Sequence, residues 1–536
     1  MFACFEAVRA WFTSLTGWPR RLIAMLLGAS MTLALPPFHI WPMLIPGLTA
    51  LVWMIDGSRT NTGVRFLSIT RRAGWSAFAV GWWYGNGFFM AGLYWISFSF
   101  LVDAAVFAWM IPFALFGLSA AMAVYIGLGS WVTFISAPAG LQRVFLVAVW
   151  WALFEWLRGW AFTGFPWNLL GTVWTNAEAM IQVTALTGVY GLSLVTALAA
   201  AAPAALGYAS ISCRARWNYL ILLWIFPFAV WIGGELRLKS AKDDNVEGVR
   251  LRLIQPNIAQ KDKWNPHLRG RHLEKLVQLS RQSVFIGEEP PTHVIWPETA
   301  TPLSLSTAPS VLSIVAKAAP VRGSLLTGAP RQSRALHGPR KIWNSFHIVT
   351  AEGRVLETYD KHHLVPFGEY IPFKKFLPIS SLAGRLDFSA GTGRRTLAVP
   401  GMPAVSPLIC YEAVFPGKAK PDRLQDRPGW LLNITNDAWF GISTGPYQHF
   451  AATQLRAVEE GIPLVRVANT GITGITDAYG RVIAQTELNK DDVIDSGLPV
   501  ALAEATWYGR HRNLTFLFVT LLFFGTSRIS VLFPNE

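Results

Sequence analysis

The chain has 536 residues, 52% of them hydrophobic, with 25 Trp and 34 Phe. Its mean hydropathy of +0.34 excludes an ordinary soluble protein and predicts a membrane protein. The formal net charge of +14 would suit a nucleic-acid-binding protein, but residues 241–508 hold 30 Lys and Arg against 25 Asp and Glu, so most of the excess lies elsewhere. No basic, aromatic-rich motif predicts nucleic acid as a partner.

Long apolar runs predict seven membrane spans, a polar interval and one final span. Each run is long enough to cross a hydrocarbon core of about 30 Å. The runs lie near residues 21–36, 40–55, 74–98, 104–127, 144–162, 183–206, 217–233 and 513–531. We therefore expect a seven-span transmembrane region at 1–240, an extramembrane domain at 241–508 and a final transmembrane helix at 509–536.

Arginine placement predicts the orientation of these spans. With the N-terminus in the cytoplasm, the short outside loops before the seventh span hold only Arg158. The inside loops hold Arg9, Arg20, Arg21, Arg59, Arg65, Arg71, Arg72, Arg143, Arg214 and Arg216. Because positive residues favour the cytoplasmic side, residues 241–508 are expected outside the cytoplasm, although Arg510 and Arg512 before the last span run against this rule.

The polar interval has the pattern of an α/β domain, because strand-like runs alternate with amphipathic helical patterns. Strands are predicted at 249–255, 292–298, 323–330, 342–350, 354–364, 405–412, 429–436 and 463–470. Helices are predicted at 267–284 and 445–461, the second ending at Gly461 as a C-cap. The stretches TAEGRVLETY and ITDAYGRVIA predict two hairpins.

A single cysteine ends one of these strands. Cys410 stands in PLICYEAVFP, whereas Cys4 and Cys213 fall on the cytoplasmic side by the topology above. Cys410 then has no partner for a disulfide within its domain, and either a buried core position or a chemical role would explain it.

Two further polar residues lie at or near the ends of predicted strands: Glu298 in IWPET and Lys361 in YDKHHLVPFGEY. Strand ends are where α/β folds place chemistry. A carboxylate in an apolar setting can accept a proton from a thiol, and a lysine can stabilise the oxyanion of a tetrahedral intermediate. Glu298, Lys361 and Cys410 together predict acyl transfer through a thioester. The alternative for any one Glu or Lys is a solvated or ion-paired residue.

Other motifs are weaker. Ser443 in GISTG matches a nucleophile elbow formally, but the strand and the triad partners that it needs are missing. His362 and His363 are adjacent, so they point to opposite strand faces and make a poor metal pair; neither a metal nor a nucleotide motif is found. Glu155 and Arg158 share a helical face and are either a functional site or an ion pair at a span boundary.

The order of WPE, YDKHHLVPFGEY and LICYE resembles the Glu-Lys-Cys triad of the nitrilase superfamily. The span pattern and the stretch EWLRGWAFTGFPWNLLG resemble, within it, the bacterial apolipoprotein N-acyltransferase family, over essentially the whole chain. This resemblance implies a helical membrane bundle and a four-layer αββα domain on the periplasmic face of the bacterial inner membrane.

The resemblance also implies roles for named residues. Cys410 would be the acylated nucleophile, Glu298 the general base and Lys361 the oxyanion stabiliser. Glu369, Tyr411 and Glu412 would support the site, and Trp264, Asn344 and Trp439 would shape the substrate pocket.

The implied acyl donor is a phospholipid such as phosphatidylethanolamine, and the implied acceptor is the α-amine of a diacylglyceryl-cysteine on an apolipoprotein. No cofactor or metal is expected. A lipid-facing lid is expected at 364–378. The alternative is a membrane-anchored nitrilase-type amidase, which would transfer the acyl group to water.

Overall fold

The chain divides into two structural units. The computed structural model describes residues 1–58, 66–284, 287, 289–333, 341–372 and 387–532. A helical unit comprises Met1–Ser97, Trp109–Ser240 and His511–Glu536. An α/β unit comprises Ala241–Arg510 together with the short segment Phe98–Ala108, which the sequence placed in the membrane region.

Helices make up the N-terminal part of the chain. They are α1 (Phe2–Ser14), α2 (Gly17–Ser30), α3 (Leu44–Asp56), α4 (Phe66–Gly92), α5 (Ser97–Leu101), α6 (Ala104–Phe107), α7 (Ile111–Ser136), α8 (Leu141–Arg158), α9 (Glu178–Ile181), α10 (Thr184–Ala201) and α11 (Cys213–Leu238). Each of the eight predicted spans contains a helix. Three helical stretches within the described residues are long and apolar enough to cross a membrane: Ala104–Ser136, Thr184–Gly207 and Cys213–Leu238. Trp41–Asp56 and Leu514–Gly525 are shorter apolar helices, so eight crossings stay a prediction.

A buried carboxylate at the end of α3 gathers polar side chains in the helical unit. Asp56 accepts hydrogen bonds from Arg143 at 2.8 Å, Arg9 at 3.0 Å and Tyr208 at 2.9 Å. Arg143 is itself buried. Two of the arginines that predict the orientation therefore also have a packing role, because a buried carboxylate needs such partners.

The α/β unit contains twelve described strands in two six-stranded sheets. Their bounds are β1 (Asn245–Gln255), β2 (His293–Ile295), β3 (Ser324–Gln332), β4 (Ile342–Thr350), β5 (Val355–Asp360), β6 (Leu397–Val399), β7 (Met402–Ile409), β8 (Trp430–Thr435), β9 (Leu464–Ala468), β10 (Gly474–Thr476), β11 (Val482–Gln485) and β12 (Asp492–Pro499). The orders are β12-β1-β2-β3-β4-β5 and β11-β10-β9-β8-β7-β6. β1, β2 and β3 are parallel, as are β7, β8 and β9, and the outer strands are antiparallel.

The sheets are buried on both faces, which gives four layers. Leu253 and Leu326 of the first sheet share a core with Leu432 and Val465 of the second. The opposite face of the first sheet packs under α13 (Arg269–Ser280) and α14 (Pro309–Ala316), and that of the second under α15 (Gly445–Glu460). Alternate residues of each strand enter different cores, as the two-residue period of a strand requires. The predicted αββα arrangement is therefore confirmed.

The remaining helices are short or terminal. They are α12 (Gln260–Lys263), α16 (Trp507–His511) and α17 (Leu514–Leu532). Gly461 ends α15 with a left-handed φ of 64°, as the sequence predicted. Both predicted hairpins form, between β4 and β5 and between β10 and β11.

All eight predicted strands are present, β4 with the predicted bounds and the other seven with shifted bounds. β10 and β11 were predicted only as the ITDAYGRVIA hairpin, and β6 and β12 were not predicted. The strand predicted at 354–364 ends at Asp360, which leaves Lys361 in the following loop. The strand predicted at 405–412 ends at Ile409, and Cys410 begins a short 3-10 turn. The missed strand β6 is short, and the missed strand β12 depends on pairing with β1, which is far away in sequence.

Candidate active site

Three strand ends bring Glu298, Lys361 and Cys410 together within the α/β unit. Glu298 follows β2, Lys361 follows β5, and Cys410 follows β7. Lys361 Nζ lies 3.9 Å from Glu298 Oε1, and the charges of both residues act on the Cys410 thiol. Lys361 is 1% exposed and Glu298 6%, whereas Cys410 is half-buried. The structure places these three residues together, and their catalytic roles remain a proposal.

The turn after β2 holds Glu298 through a close backbone approach. Gly328 N donates to Pro297 O at 3.2 Å, and Ala300 N donates to Gly328 O at 2.9 Å. A Cβ at Gly328 would lie 2.6 Å from Thr299 N, so only glycine allows this approach. Thr299 itself has a φ of +46°, which is uncommon for a residue other than glycine.

Glu298 is a carboxyl group with a raised pKa. Burial raises the pKa of Glu298, and the carboxylate of Glu369 adds to the effect. Lys361 opposes it, as does the hydrogen bond of 2.6 Å that Asn344 Nδ2 donates to Glu298 Oε1. A raised pKa makes an ionised Glu298 a better proton acceptor than an ordinary carboxylate.

Lys361 is held as a cation by the carboxylates around it. Its Nζ lies 2.9 Å from the Glu369 carboxylate, and its backbone N donates to Asn344 O at 2.8 Å. Burial disfavours the charge on Lys361, but Glu369, Cys410 and Glu298 outweigh it, so the pKa of Lys361 is raised. The site therefore keeps a fixed positive charge beside Cys410.

Cys410 has an unusual backbone and an unreactive resting thiol. Its φ is +53°, a left-handed conformation that places the residue on a tight turn after the strand. Burial raises the pKa of Cys410 to about 12, Glu298 adds to the rise, and Lys361 opposes it. The thiol consequently rests protonated, and attack requires a neighbouring base.

Glu412 connects the Cys410 turn to the Lys361 loop. Its Oε2 accepts from Ile409 N at 2.8 Å, and its Oε1 accepts from the backbone N of His362 at 2.8 Å and of His363 at 3.1 Å. Tyr359 Oη donates to the same Oε1 at 2.9 Å. The carboxylate thus fixes the residue before the nucleophile and the two residues after the lysine.

The other predicted site residues have different surroundings. Tyr411 is buried against the rings of His363 and Phe415. Trp264 is 42% exposed, and Trp439 is half-buried, with its carbonyl accepting from Ser99 Oγ at 2.9 Å. Tyr411 stays a prediction for a supporting residue, and Trp264 and Trp439 stay predictions for pocket-shaping residues.

A buried polar network lies under the nucleophile, and the sequence analysis missed it. Arg466 Nη2 donates to Asp437 Oδ2 at 2.5 Å, and His449 Nδ1 lies 2.9 Å from Asp437 Oδ1. Arg466 also bonds Asn433, whose Nδ2 donates to Cys410 O at 3.3 Å. One sequence signal indicated this network. The helical period assigns His449 to the buried face of α15, and the alternating period assigns Arg466 to a buried face of β9.

The weaker candidates have local roles or remain open. Ser443 Oγ donates to Phe440 O at 2.7 Å in the turn before α15. Glu155 accepts from Leu170 N at 2.9 Å, and Arg158 donates to Phe165 O at 2.6 Å, so both hold the segment after α8. Among the described residues, no group of three or more His, Cys, Asp or Glu could hold a metal ion. Of the expected lid at 364–378, residues 373–378 lie outside the described residues.

Two family models match the chain. The apolipoprotein N-acyltransferase N-terminal domain matches residues 27–202, and carbon-nitrogen hydrolase matches residues 251–508. Relatives named apolipoprotein N-acyltransferase include one from Rhodopseudomonas palustris, 39% identical over 92% of both chains, and one from Allorhizobium ampelinum, 36% identical over 98% of both. A solved amidase from Nesterenkonia sp. is 18% identical, with a TM-score of 0.34, over 52% of this chain and 98% of its own.

The α/β unit, with a buried Glu, a buried Lys and a half-buried Cys at strand ends, is a carbon-nitrogen hydrolase domain, joined in one chain to a helical membrane unit. Since relatives more than a third identical cover nine tenths or more of both chains, the chain belongs to the apolipoprotein N-acyltransferase family and is an acyltransferase.

Proposed function

We propose that this enzyme transfers a fatty acyl chain from a phospholipid to the α-amine of an N-terminal diacylglyceryl-cysteine on an apolipoprotein, through a thioester on Cys410. The observation that carries the proposal is the buried pairing of Lys361 with Glu298, 3.9 Å apart, with both charges acting on Cys410. Acyl transfer through a thioester needs a base with a raised pKa, a fixed cation and a thiol.

In the first half-reaction the thiol becomes acylated. Glu298 accepts the proton of Cys410 as sulfur attacks the ester carbonyl of the donor, and Lys361 stabilises the oxyanion that forms. The intermediate collapses by breaking the carbon–oxygen bond, and Glu298 returns the proton to the departing alcohol. The products are a lysophospholipid and a thioester, so no oxidant, reductant or nucleotide is required.

In the second half-reaction the neutral α-amine of the acceptor attacks the thioester carbonyl. Glu298 accepts the proton that the amine loses, and Lys361 again stabilises the oxyanion. The carbon–sulfur bond breaks, and the leaving thiolate recovers its proton from Glu298. Exchange of a thioester for an amide is downhill, and the two steps predict ping-pong kinetics.

The finer assignments belong to the same proposal. Phosphatidylethanolamine is the proposed donor, and the bacterial inner membrane is the proposed location, with residues 241–508 as a periplasmic catalytic domain between spans at 1–240 and 509–536. Arginine placement supports this orientation. The three apolar helical stretches support the membrane setting.

Peptide mass spectrometry of Cys410 tests the proposal. Purified protein is mixed with phosphatidylethanolamine vesicles without any amine acceptor, and the expected result is an acyl mass on Cys410 that disappears when a diacylated lipopeptide is added. The lipopeptide should gain the same acyl mass. Release of free fatty acid with no lipopeptide product would instead favour the amidase alternative, and an unmodified Cys410 in protein that still acylates lipopeptide would refute the nucleophile.

A further inference from the structure

A second lysine, Lys263 of α12, contacts the residues of the proposed active site, although α12 carries none of the three proposed catalytic residues. Lys263 is the last residue of α12, is 3% exposed, and donates from Nζ to the backbone carbonyl of Glu298 at 3.0 Å. That carbonyl precedes Thr299, whose φ is +46°. Lys263 therefore anchors the strained turn that presents the Glu298 carboxylate.

The position of Lys263 is fixed by contacts that do not involve Glu298. Asn436 Nδ2 donates to Gln260 Oε1 at 2.7 Å at the start of the same short helix. Just before it, Asn469 Nδ2 donates to Ile258 O at 2.8 Å. These bonds tie α12 to the loops after β8 and β9, so the ammonium group is held in place before any substrate binds.

Lys263 is also an electrostatic partner of the reacting groups. Its charge acts on Glu298 and Cys410, and on the half-buried His272, which also faces Asp262. Glu298 and Cys410 in turn face Lys361, Glu369 and Asp437. Burial lowers the pKa of Lys263 to about 8, although the negative charges of Glu298 and Cys410 act to raise it. The group therefore loses its charge at a pH where enzymes are readily assayed.

We propose that Lys263 is a positioning residue for this acyl transfer, anchoring the Glu298 turn by its hydrogen bond and favouring the ionised forms of Glu298 and Cys410 by its positive charge. The role rests on the proposed function, in which Cys410 is the nucleophile. It differs from the role of Lys361, because Lys263 bonds the backbone of the base.

Three variants isolate the effect of the Lys263 charge on Cys410. Lys263→Arg keeps both a donor and a charge, Lys263→Gln keeps a donor without a charge, and Lys263→Met removes both. The readout is the rate at which iodoacetamide alkylates Cys410 in the full-length protein between about pH 7 and 9.5, followed by peptide mass spectrometry. Cys4 and Cys213 are exposed and serve as reference thiols in the same sample.

Loss of the charge should slow alkylation of Cys410. Below pH 8 we expect Lys263→Met and Lys263→Gln to react roughly tenfold more slowly than wild type, because a rise of one pKa unit removes nine tenths of the thiolate. As the pH rises through about 8, wild-type Lys263 loses its own charge, so the curves of wild type and Lys263→Gln should converge. Lys263→Arg should stay fast and show no such convergence.

Lys420 is the matched control. It is another fully buried lysine in this unit, pairs with Glu460 at 3.5 Å and donates to Gly509 O at 3.4 Å. Lys420→Met should leave alkylation of Cys410 unchanged. An equal slowing in Lys420→Met, an Arg variant as slow as the Met variant, or a Gln variant with the wild-type profile would each overturn the proposed charge effect.

Thiol alkylation needs no lipid, so its result is separate from the test of function. A Cys410 that is never acylated by phospholipid would refute the proposed reaction even if the Lys263 variants change alkylation as expected. Should Lys263→Met fail to fold, the Gln and Arg variants still decide the point, because both retain a hydrogen-bond donor.

Discussion

Asn344 donates to two buried carboxylates at once, at 2.6 Å to Glu298 Oε1 and at 3.0 Å to Glu369 Oε1. Both N–H groups of one side-chain amide are therefore used to hold like charges side by side. Lys361 lies between the same two carboxylates and provides the balancing charge. This arrangement makes Asn344 part of the base's environment, in addition to any role in shaping the pocket.

Replacing Asn344 should change the pH dependence of acylation. The hydrogen bond from Asn344 lowers the pKa of Glu298, so Asn344→Ala should raise that pKa further. Glu298 accepts a proton only when ionised, and activity therefore rises as the pH passes upward through its pKa. We expect the acidic limb of the single-turnover acylation rate to move to higher pH, with a loss of roughly tenfold to 100-fold on that limb. An equal loss at every pH would contradict this account.

Glu412→Gln should disturb the nucleophile and the lysine loop together. The carboxylate accepts from three backbone N–H groups and one hydroxyl, and the amide would present a donor to one of these donors. An unsatisfied buried donor costs about 1–3 kcal/mol, so we expect a lower melting temperature and a loss of acylation. Glu352→Gln, at the exposed tip of the β4–β5 hairpin, is the control and should match wild type in both measurements.

Gly328→Ala should impair the enzyme by displacing Glu298. The added Cβ would stand 2.6 Å from Thr299 N and 2.7 Å from Glu298 Cα, where the turn leaves no space. Overpacking of this kind costs about 1–3 kcal/mol, and the base would shift with its turn. Gly270→Ala in α13 meets nothing within 4 Å and should retain full activity. Retained activity in Gly328→Ala would show that Glu298 tolerates the displacement.

The sequence predicted what local patterns encode. Strand-like runs end at or near Glu298, Lys361 and Cys410, and strand ends are where α/β folds place chemistry. Glu298 and Lys361 follow strands of the first sheet and Cys410 follows a strand of the second, so the pattern marked the three residues without showing that they converge. β12 could not be found in this way, because its residues are only partly buried and its place depends on pairing with β1 across the whole domain. The role of Lys263 was missed for a similar reason, since no local pattern links it to Glu298.

The network of Asp437, His449 and Arg466 was equally hidden from the sequence. Arg466 occupies a strand position and His449 a helical position that the periodicity assigns to the interior, and both are fully buried. Charged residues at such positions can be satisfied only by partners from other elements, here Asp437 after β8 and Asn433 within it. The fold brings these groups together, and no regular spacing along the chain predicts it.

Asp437→Asn should destabilise the α/β unit. Burial would raise the pKa of Asp437, but Arg466 and His449 outweigh it, so the pKa in the folded protein lies below its usual range. A lowered pKa contributes stability above the unfolded-state value of about 3.9, and this contribution is lost as the pH falls through the folded-state value. At pH 7 the variant leaves the Arg466 charge buried without its carboxylate, which typically costs about 3–5 kcal/mol. Thermal unfolding in detergent at pH 7 measures the loss.

Asp422→Asn is the control, because the Asp422 side chain is 75% exposed beside Arg394 and its removal should leave the melting temperature unchanged. Equal melting temperatures for Asp437→Asn and wild type would mean that the network adds no stability beneath Cys410.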